Sequence, residues 1–534
     1  MNKPYIIGIT GTYGKTSCAY SLHQYFKSLG YTSCLISSNY FDFPQEKQYN
    51  SNVMNSSSQL RYYINLAKNA QFLVIEISEE SLANNIYEGV DFDCKVLVSF
   101  DRSRSLHRNK DEYAALKINF FNDQDCLRVI NKNIDLFEQF NTDGAIVFST
   151  ELNDECDVYP ISQKFKFHDA SCAIKVLDDV ISLRSKHGKT SHQNLITAIA
   201  VLAKLDMFDS DFFMEDFDQV INVPGRSEMH TYNNRHLVID SGNGKALKTF
   251  VETTEDIDQY KVRGLLSAAG GIGTETYNEM VANGFVSLNI YLHTNPDVRR
   301  SCFVFGGYLY KAYHKLQDFP THDICYTSVV DELGHDLDID FSNREFNIPE
   351  GLYNDLYETN ELLGSTDIER SYSYIKNMWW RNIYGLKHTF TVHYDKFLEL
   401  YNNFLALNDE KLNQACAYMK QMIDYEVAQF RMLADSVDNL PVQKFYLTMN
   451  NKSIGWNDEL LLRRYKAFFT KEVDIFTSRQ DAIRAMINDS NEEDILFMAG
   501  RGDALLFLDG KEFSEFTDAG YAKSIFEEVN VNEN

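Results

Sequence analysis

At 534 residues the chain exceeds what one hydrophobic core usually supports, so two or three domains are expected. Its 44% hydrophobic and 24% charged residues, with 8 prolines, place it among globular proteins rather than disordered or fibrous ones. A net charge of -26 opposes binding to nucleic-acid backbones and to anionic membrane surfaces, which excludes both as main partners.

A local anion site remains compatible with that charge, because a few backbone N–H groups and one lysine suffice to make it. The nine cysteines are scattered singly, without a CxxC pair or metal-type spacing, which fits reduced thiols in a cytoplasmic protein. Met1 leads into an apolar strand without a basic leader, and no apolar run reaches membrane-spanning length.

In chain order, Pro4–Thr10 (PYIIGIT) reads as a buried strand, followed by a glycine turn and a helical pattern from Lys15 to Leu29. Thr32–Ile36, Gln71–Ile77 and Lys95–Phe100 read as short strands, with a helix-like segment at Ser58–Ala70. This alternation predicts a parallel sheet covered by helices. Asn194–Leu205 (NLITAIAVLAKL) has helical spacing, and Val223-Pro224-Gly225 breaks it, so a domain boundary is placed there, giving 1–225 and 226–534. The second α/β region starts at His236–Asp240 (HLVID) and closes with Asp494–Met498 (DILFM) and a helix near Ala519–Val529. Residues 286–440 change character, being rich in Tyr, Asn, Asp and Glu with helix-like stretches such as Asp395–Asn408, and read as a mainly helical insertion.

The run Gly8-Ile9-Thr10-Gly11-Thr12-Tyr13-Gly14-Lys15-Thr16-Ser17 sits between a strand and a helix, the context a phosphate cradle requires. Gly11 and Gly14 let the backbone wrap phosphates, Lys15 can reach the terminal ones, and the Thr16 hydroxyl can ligate Mg²⁺. The standard G-x-x-x-x-G-K-[ST] pattern would put its first glycine at Ile9, so the loop is a variant. The competing reading is a glycine-rich turn with a chance Gly-Lys-Thr.

The phrase GITGTYGKTS resembles the loop of the Mur ligase family, and further phrases follow in that family's order. Val74–Ser78 (VIEIS) resembles its E-x-S segment. Tyr113–Lys117 with Phe120-Phe121 resembles the Y-x-x-A-K-x-x-L-F segment of the MurE branch, with His107 six residues ahead. Gly188–Ala200, VPGRSE at 223–228, the strand ending at Asp240, SAAGG at 267–271, Tyr446–Leu462, Arg479 with Ala482-Ile483, and AGRGD at 499–503 continue the series. These cover nearly all of 1–285 and 441–534.

The resemblance implies an α/β architecture: a parallel-sheet P-loop ATPase domain, then a Rossmann-like C-terminal domain carrying the insertion. The family's UDP-muramoyl N-terminal domain is read as missing. It implies an ATP-dependent carboxylate–amine ligase that works through an acyl phosphate, with ATP and Mg²⁺. Lys15, Lys117, Glu76 and His107 fall at catalytic positions. Thr16, Glu76 and a carbamylated Lys117 fall on the metal side. Gly11, Thr12, Gly14, Lys15, Thr16, Ser17, Asn194, Arg226 and Asp240 fall at nucleotide positions. From the residues alone, simpler readings stay open: Glu76 as an exposed strand-end acid, Lys117 as a helix-surface lysine, Asn194 as a helix cap, Arg226 and Asp240 as turn residues.

The sequence also departs from the family pattern. Its metal-ligating histidine falls at Ser103, within Arg102-Ser103-Arg104-Ser105, and its carboxylate-holding arginine falls at Ser453. The residue after the G-K-G-H-like phrase is Ala504. Losing a bidentate arginine implies that the second substrate is not lysine or diaminopimelate. The expected partners are a small-molecule or peptide carboxylate and an amino acid or amine outside standard muropeptide synthesis. Arg299, Arg300, Trp379, Trp380 and Arg381 of the insertion are candidates for a new clamp. The alternative is a catalytically impaired nucleotide-binding scaffold that docks a protein partner through the insertion.

Overall fold

The computed structural model describes residues 3–38, 40–44, 46–49, 57–102, 110–215, 217–267, 427–428, 430–449, 458–502, 506–509 and 512–532. His107, Ser103, Ser453, Ala504 and nearly all of the expected insertion, with its arginine and tryptophan candidates, lie outside these residues.

The chain opens with β1 (Tyr5–Thr10), α1 (Lys15–Ser28), β2 (Ser33–Ile36), β3 (Tyr40–Phe43), β4 (Glu46–Tyr49) and α2 (Ser57–Leu66). It continues with β5 (Phe72–Glu76), α3 (Glu79–Ala83), β6 (Cys94–Leu97), α4 (Lys110–Asn122), β7 (Leu127–Asn131) and β8 (Ile146–Phe148). Then come β9 (Val158–Lys166), β10 (Asp169–Val176), β11 (Asp179–Ser185) and α5 (Lys189–Lys204). These strands form one sheet in the order β11-β10-β9-β8-β7-β6-β1-β5-β2-β3-β4.

β1 sits inside the sheet, paired in parallel with β5 on one side and β6 on the other. Its Ile6, Ile7 and Ile9 are all buried, as expected of a strand covered on both faces. The helices α1 and α5 cover one face and bury Cys18, Leu22 and Phe26 against Leu195, Ile199 and Leu202 in one core. The expected parallel, helix-covered sheet is therefore present, but its two edges are antiparallel. β3 and β4 extend one edge, and β9, β10 and β11 form a three-stranded arm at the other.

After two short helices, α6 (Ser210–Glu215) and α7 (Asp218–Ile221), the second sheet is built from β12 (Glu228–Tyr232), β13 (Arg235–Asp240), β14 (Val262–Ser267), β15 (Val442–Thr448), β16 (Val473–Phe476) and β17 (Ile495–Ala499). Its order is β12-β13-β17-β14-β15-β16, parallel apart from the β12–β13 hairpin. Helix α8 (Gly244–Thr253) and the helices Asp458–Lys466, Arg479–Asn488 and Asp518–Asn532 accompany it.

The three-stranded arm ties the two units together. At its β9–β10 turn, Phe167 enters the core of the second unit, edge-on to Phe250, Tyr260 and His236. The Phe167 N–H donates to Asp256 Oδ1 at 2.7 Å, and Phe165 and Glu255 exchange bonds of 2.8 and 2.9 Å.

Candidate active site

The loop after β1 closes against the end of β6. A Cβ on Gly11 would lie 2.4 Å from Val98 Cγ2 and 3.0 Å from the Ser99 nitrogen, so only glycine fits. Gly14 caps α1 at φ 79°, a left-handed backbone, and a Cβ there would lie 3.0 Å from Asn194 Oδ1. That contact brings Asn194, on α5, to the loop. Thr12 is held by three bonds: its N–H donates to the Ser99 carbonyl at 3.0 Å, its hydroxyl accepts from Asp101 N at 3.0 Å, and it meets Tyr113 Oη at 3.1 Å.

At the start of α1, the Thr16 hydroxyl donates to Glu76 Oε2 at 3.0 Å. Ser38 donates to the same oxygen from its backbone N–H at 2.9 Å and its hydroxyl at 3.1 Å, and Ser38 Oγ lies 3.2 Å from Thr16 Oγ1. Two hydroxyls and a carboxylate therefore converge. Glu76 is 3% exposed, so it is not a surface acid at a strand end. Ser17 is buried one residue on.

Lys15 and Lys117 meet on one atom. Lys15 Nζ donates to the Gly11 carbonyl at 2.9 Å, and Lys117 Nζ donates to the same oxygen at 3.2 Å. Lys117 also reaches Thr10 Oγ1 at 3.3 Å and stands 3.8 Å from Glu79 Oε1. It is fully buried, so it is no helix-surface lysine. Burial first, and then the neighbouring Lys15 charge, lower its pKa to about 7 against the opposing pull of Glu79.

Arg226 and Asp240 form a separate group at the second sheet. Asp240 Oδ2 accepts from Ser227 N at 2.7 Å and Ser227 Oγ at 2.9 Å, while Oδ1 accepts from Gly242 N at 2.7 Å. Arg226 Nη1 donates to the Gly225 carbonyl at 3.0 Å. Burial raises the Asp240 pKa, and the Arg226 charge and these hydrogen bonds oppose that rise. Both residues thus brace the 225–227 turn. Gly502 packs on it, since a Cβ there would lie 2.9 Å from the Gly225 carbonyl.

Residues 9–202 match the family model of the Mur ligase middle domain. That stretch is thus similar to the middle domain of Mur ligases. A UDP-N-acetylmuramoyl-L-alanyl-D-glutamate–2,6-diaminopimelate ligase of Prochlorococcus marinus is 24% identical over 244 residues, covering 42% of this chain and 47% of that protein. The ligase of the same name from Helicobacter hepaticus is 27% identical over 205 residues, covering 37% of this chain and 41% of its own. The chain thus spans less than half the length of these relatives. Among solved structures, MurF ligase from Thermotoga maritima in complex with ADP superposes with a TM-score of 0.49 at 8% identity, over 100% of this chain and 82% of that one.

Within the matched residues, the sequence pointed to Glu76 and Lys117 and to Thr16 and Gly11 that they contact, but not to Ser38 or Glu79. Ser38 lies two residues past β2 and meets Glu76 only through the fold, so no local pattern marks it. Glu79 had a weak signal, an acid three residues beyond Glu76. Among the described residues no cluster of three His, Cys, Asp or Glu side chains makes a metal centre, and no helix is long and apolar enough to cross a membrane.

Proposed function

We propose that this chain is an ATP-dependent, ADP-forming carbon–nitrogen ligase that activates a carboxylate as an acyl phosphate and passes it to an amine. One observation carries the reading: Lys15 and Thr16 of α1, Glu76 of β5 and Lys117 of α4 converge on one glycine loop from three elements. In this reading Gly11 and Gly14 open the loop to phosphate, Lys15 leaves the Gly11 carbonyl to meet it, and Asn194 borders the nucleotide.

The donor set beside the loop fits Mg²⁺, because Thr16 Oγ1, Ser38 Oγ and Glu76 Oε2 are hard oxygens 3.0–3.2 Å apart. Mg²⁺ held there would offset the negative charge that develops during phosphoryl transfer. Lys117, with its pKa lowered to about 7, offers a neutral amine near pH 7, the form that adds CO₂ to give a carbamate. Glu79 Oε1, 3.8 Å away, would repel that anion, so carbamylation and cation binding are coupled here. Arg226 and Asp240 set the turn that faces the nucleotide from the second unit, with 1–225 and 226–534 acting as the two domains and His107 serving the substrate side. The substrates lie outside standard muropeptide synthesis, since Ser453 and Ala504 cannot supply the clamp for diaminopimelate. The setting is the cytoplasm.

The test is ADP release with candidate carboxylates and mixed amino acids, wild type against Lys15→Ala. Turnover that the substitution abolishes supports the ligase. ATP binding without turnover in any mixture points instead to the scaffold alternative.

A further inference from the structure

The geometry points to Lys245 as an additional cation for the nucleotide, delivered from the second unit to the terminal phosphate of a triphosphate in the Gly11–Ser17 loop. This rests on the ATP reading of that loop and adds a residue which that reading does not contain.

Tyr13 stands on the loop between the two glycines and is 43% exposed. Its backbone is held by Ser99 and its phenol by Asp101. Its backbone N–H donates to Ser99 Oγ at 2.7 Å, its carbonyl accepts from the same hydroxyl at 2.9 Å, and its phenol donates to Asp101 Oδ2 at 2.9 Å. Over that ring, 5.0 Å from its centroid, lies Lys245 Nζ.

The Lys245 backbone is equally well placed. Asn243, just ahead of α8, is bound to the end of β14, donating from Nδ2 to the Ser267 carbonyl at 2.6 Å and accepting from Ser267 N at 3.1 Å. Gly244 packs so closely that a Cβ would lie 2.1 Å from Leu433 Cδ1. Lys245 therefore projects from a fixed origin toward the loop, two residues from Lys15 in its contact with Tyr13.

An exposed ammonium gains little from an aromatic face, whereas a charge-assisted bond to a phosphate oxygen is much stronger. When a triphosphate fills the loop, Lys245 exchanges the ring for phosphate. Lys15 meets the phosphates from within the loop, so a second ammonium from the facing unit adds its contact at the outermost one, which ATP carries and ADP lacks. Lys245 then distinguishes ATP from ADP.

The test is calorimetric titration of the full chain with ATP and with ADP, each with Mg²⁺, for wild type, Lys245→Met and Lys245→Arg. Lys245→Met should weaken ATP binding about tenfold, as for one lost charged contact, while ADP binding changes less than about twofold. Lys245→Arg should restore most of the ATP affinity. Loss of ATP and ADP affinity in equal measure, or of neither, overturns the assignment and leaves the ligase reading standing. Wild-type protein that binds neither nucleotide overturns both.

Discussion

Lys117 offers a test of the site that needs no substrate. Its pKa is lowered from 10.5 to about 7, first by burial and then by Lys15. At 1.36 kcal/mol per pH unit, keeping it protonated in the fold costs on the order of 5 kcal/mol. Below pH 7 the lysine is charged in both states, and the folded protein carries that whole cost. Between pH 7 and 10.5 the unfolded chain binds the proton and the folded chain does not, so stability rises with pH by about 1.4 kcal/mol per unit. Lys117→Met, which fills the same space without a charge, should be more stable than wild type at pH 6.5. Its advantage should shrink by about 3 kcal/mol between pH 7 and 9. Urea unfolding of both proteins in CO₂-free buffer, without nucleotide or metal, measures the gap. A gap that stays constant across that range would refute a buried lysine that is neutral above pH 7.

Gly11→Ala forces a methyl to 2.4 Å from Val98 Cγ2, which should cost about 1–3 kcal/mol in thermal unfolding and abolish ATP binding through the displaced loop. Arg479 and Asp518 form a fully buried ion pair, Nε to Oδ1 at 2.8 Å. Arg479→Met should destabilise by about 3–5 kcal/mol in urea by stranding the carboxylate, and adding Asp518→Leu should recover most of that loss. His168 meets His236 at 2.8 Å where the arm joins the second unit, and burial with the His236 charge lowers its pKa from 6.5 to about 4. The unfolded chain binds the extra proton between those values, so wild type loses stability as pH falls from 6.5 to 4, and His168→Leu should flatten that decline in melting temperature.

The sequence made the site's backbone legible because local rules govern it. A buried strand, glycines at positive φ or in close contact, and a helix start all leave their marks within ten residues. β1 and α1 begin within a residue of their expected places for that reason. The arm β9–β11 escaped notice although β10 alternates buried and partly exposed residues throughout, a period-2 pattern of an antiparallel strand. Its purpose, placing Phe167 in another core, depends on residues some 80 positions away and has no local sign. The same holds for Ser38 on Glu76, whereas the Asp240 carboxylate, taken up by Ser227 and Gly242, matches the turn-residue reading that the sequence left open. Lys117 reads as an ordinary polar helix position until tertiary packing buries it.

On the ATP reading, the Lys15 loop is where a chain of net charge -26 would still draw in an anion. Lys15 and Lys117 share the Gly11 carbonyl at 2.9 and 3.2 Å, so a proton on Lys117 is opposed by burial and then by the Lys15 charge beside it. The repulsion is part of what lowers the Lys117 pKa, so below pH 7 the loop without phosphate holds its excess positive charge at a cost in stability. An incoming phosphate relieves it by taking Lys15 off the carbonyl, and the acidic surface beyond does not reach in, because screening confines exposed charges to about 8–10 Å in physiological salt. On the ATP reading, Lys15 therefore supplies the lasting attraction for phosphate, and Lys117 adds to it only below pH 7, where it carries its proton.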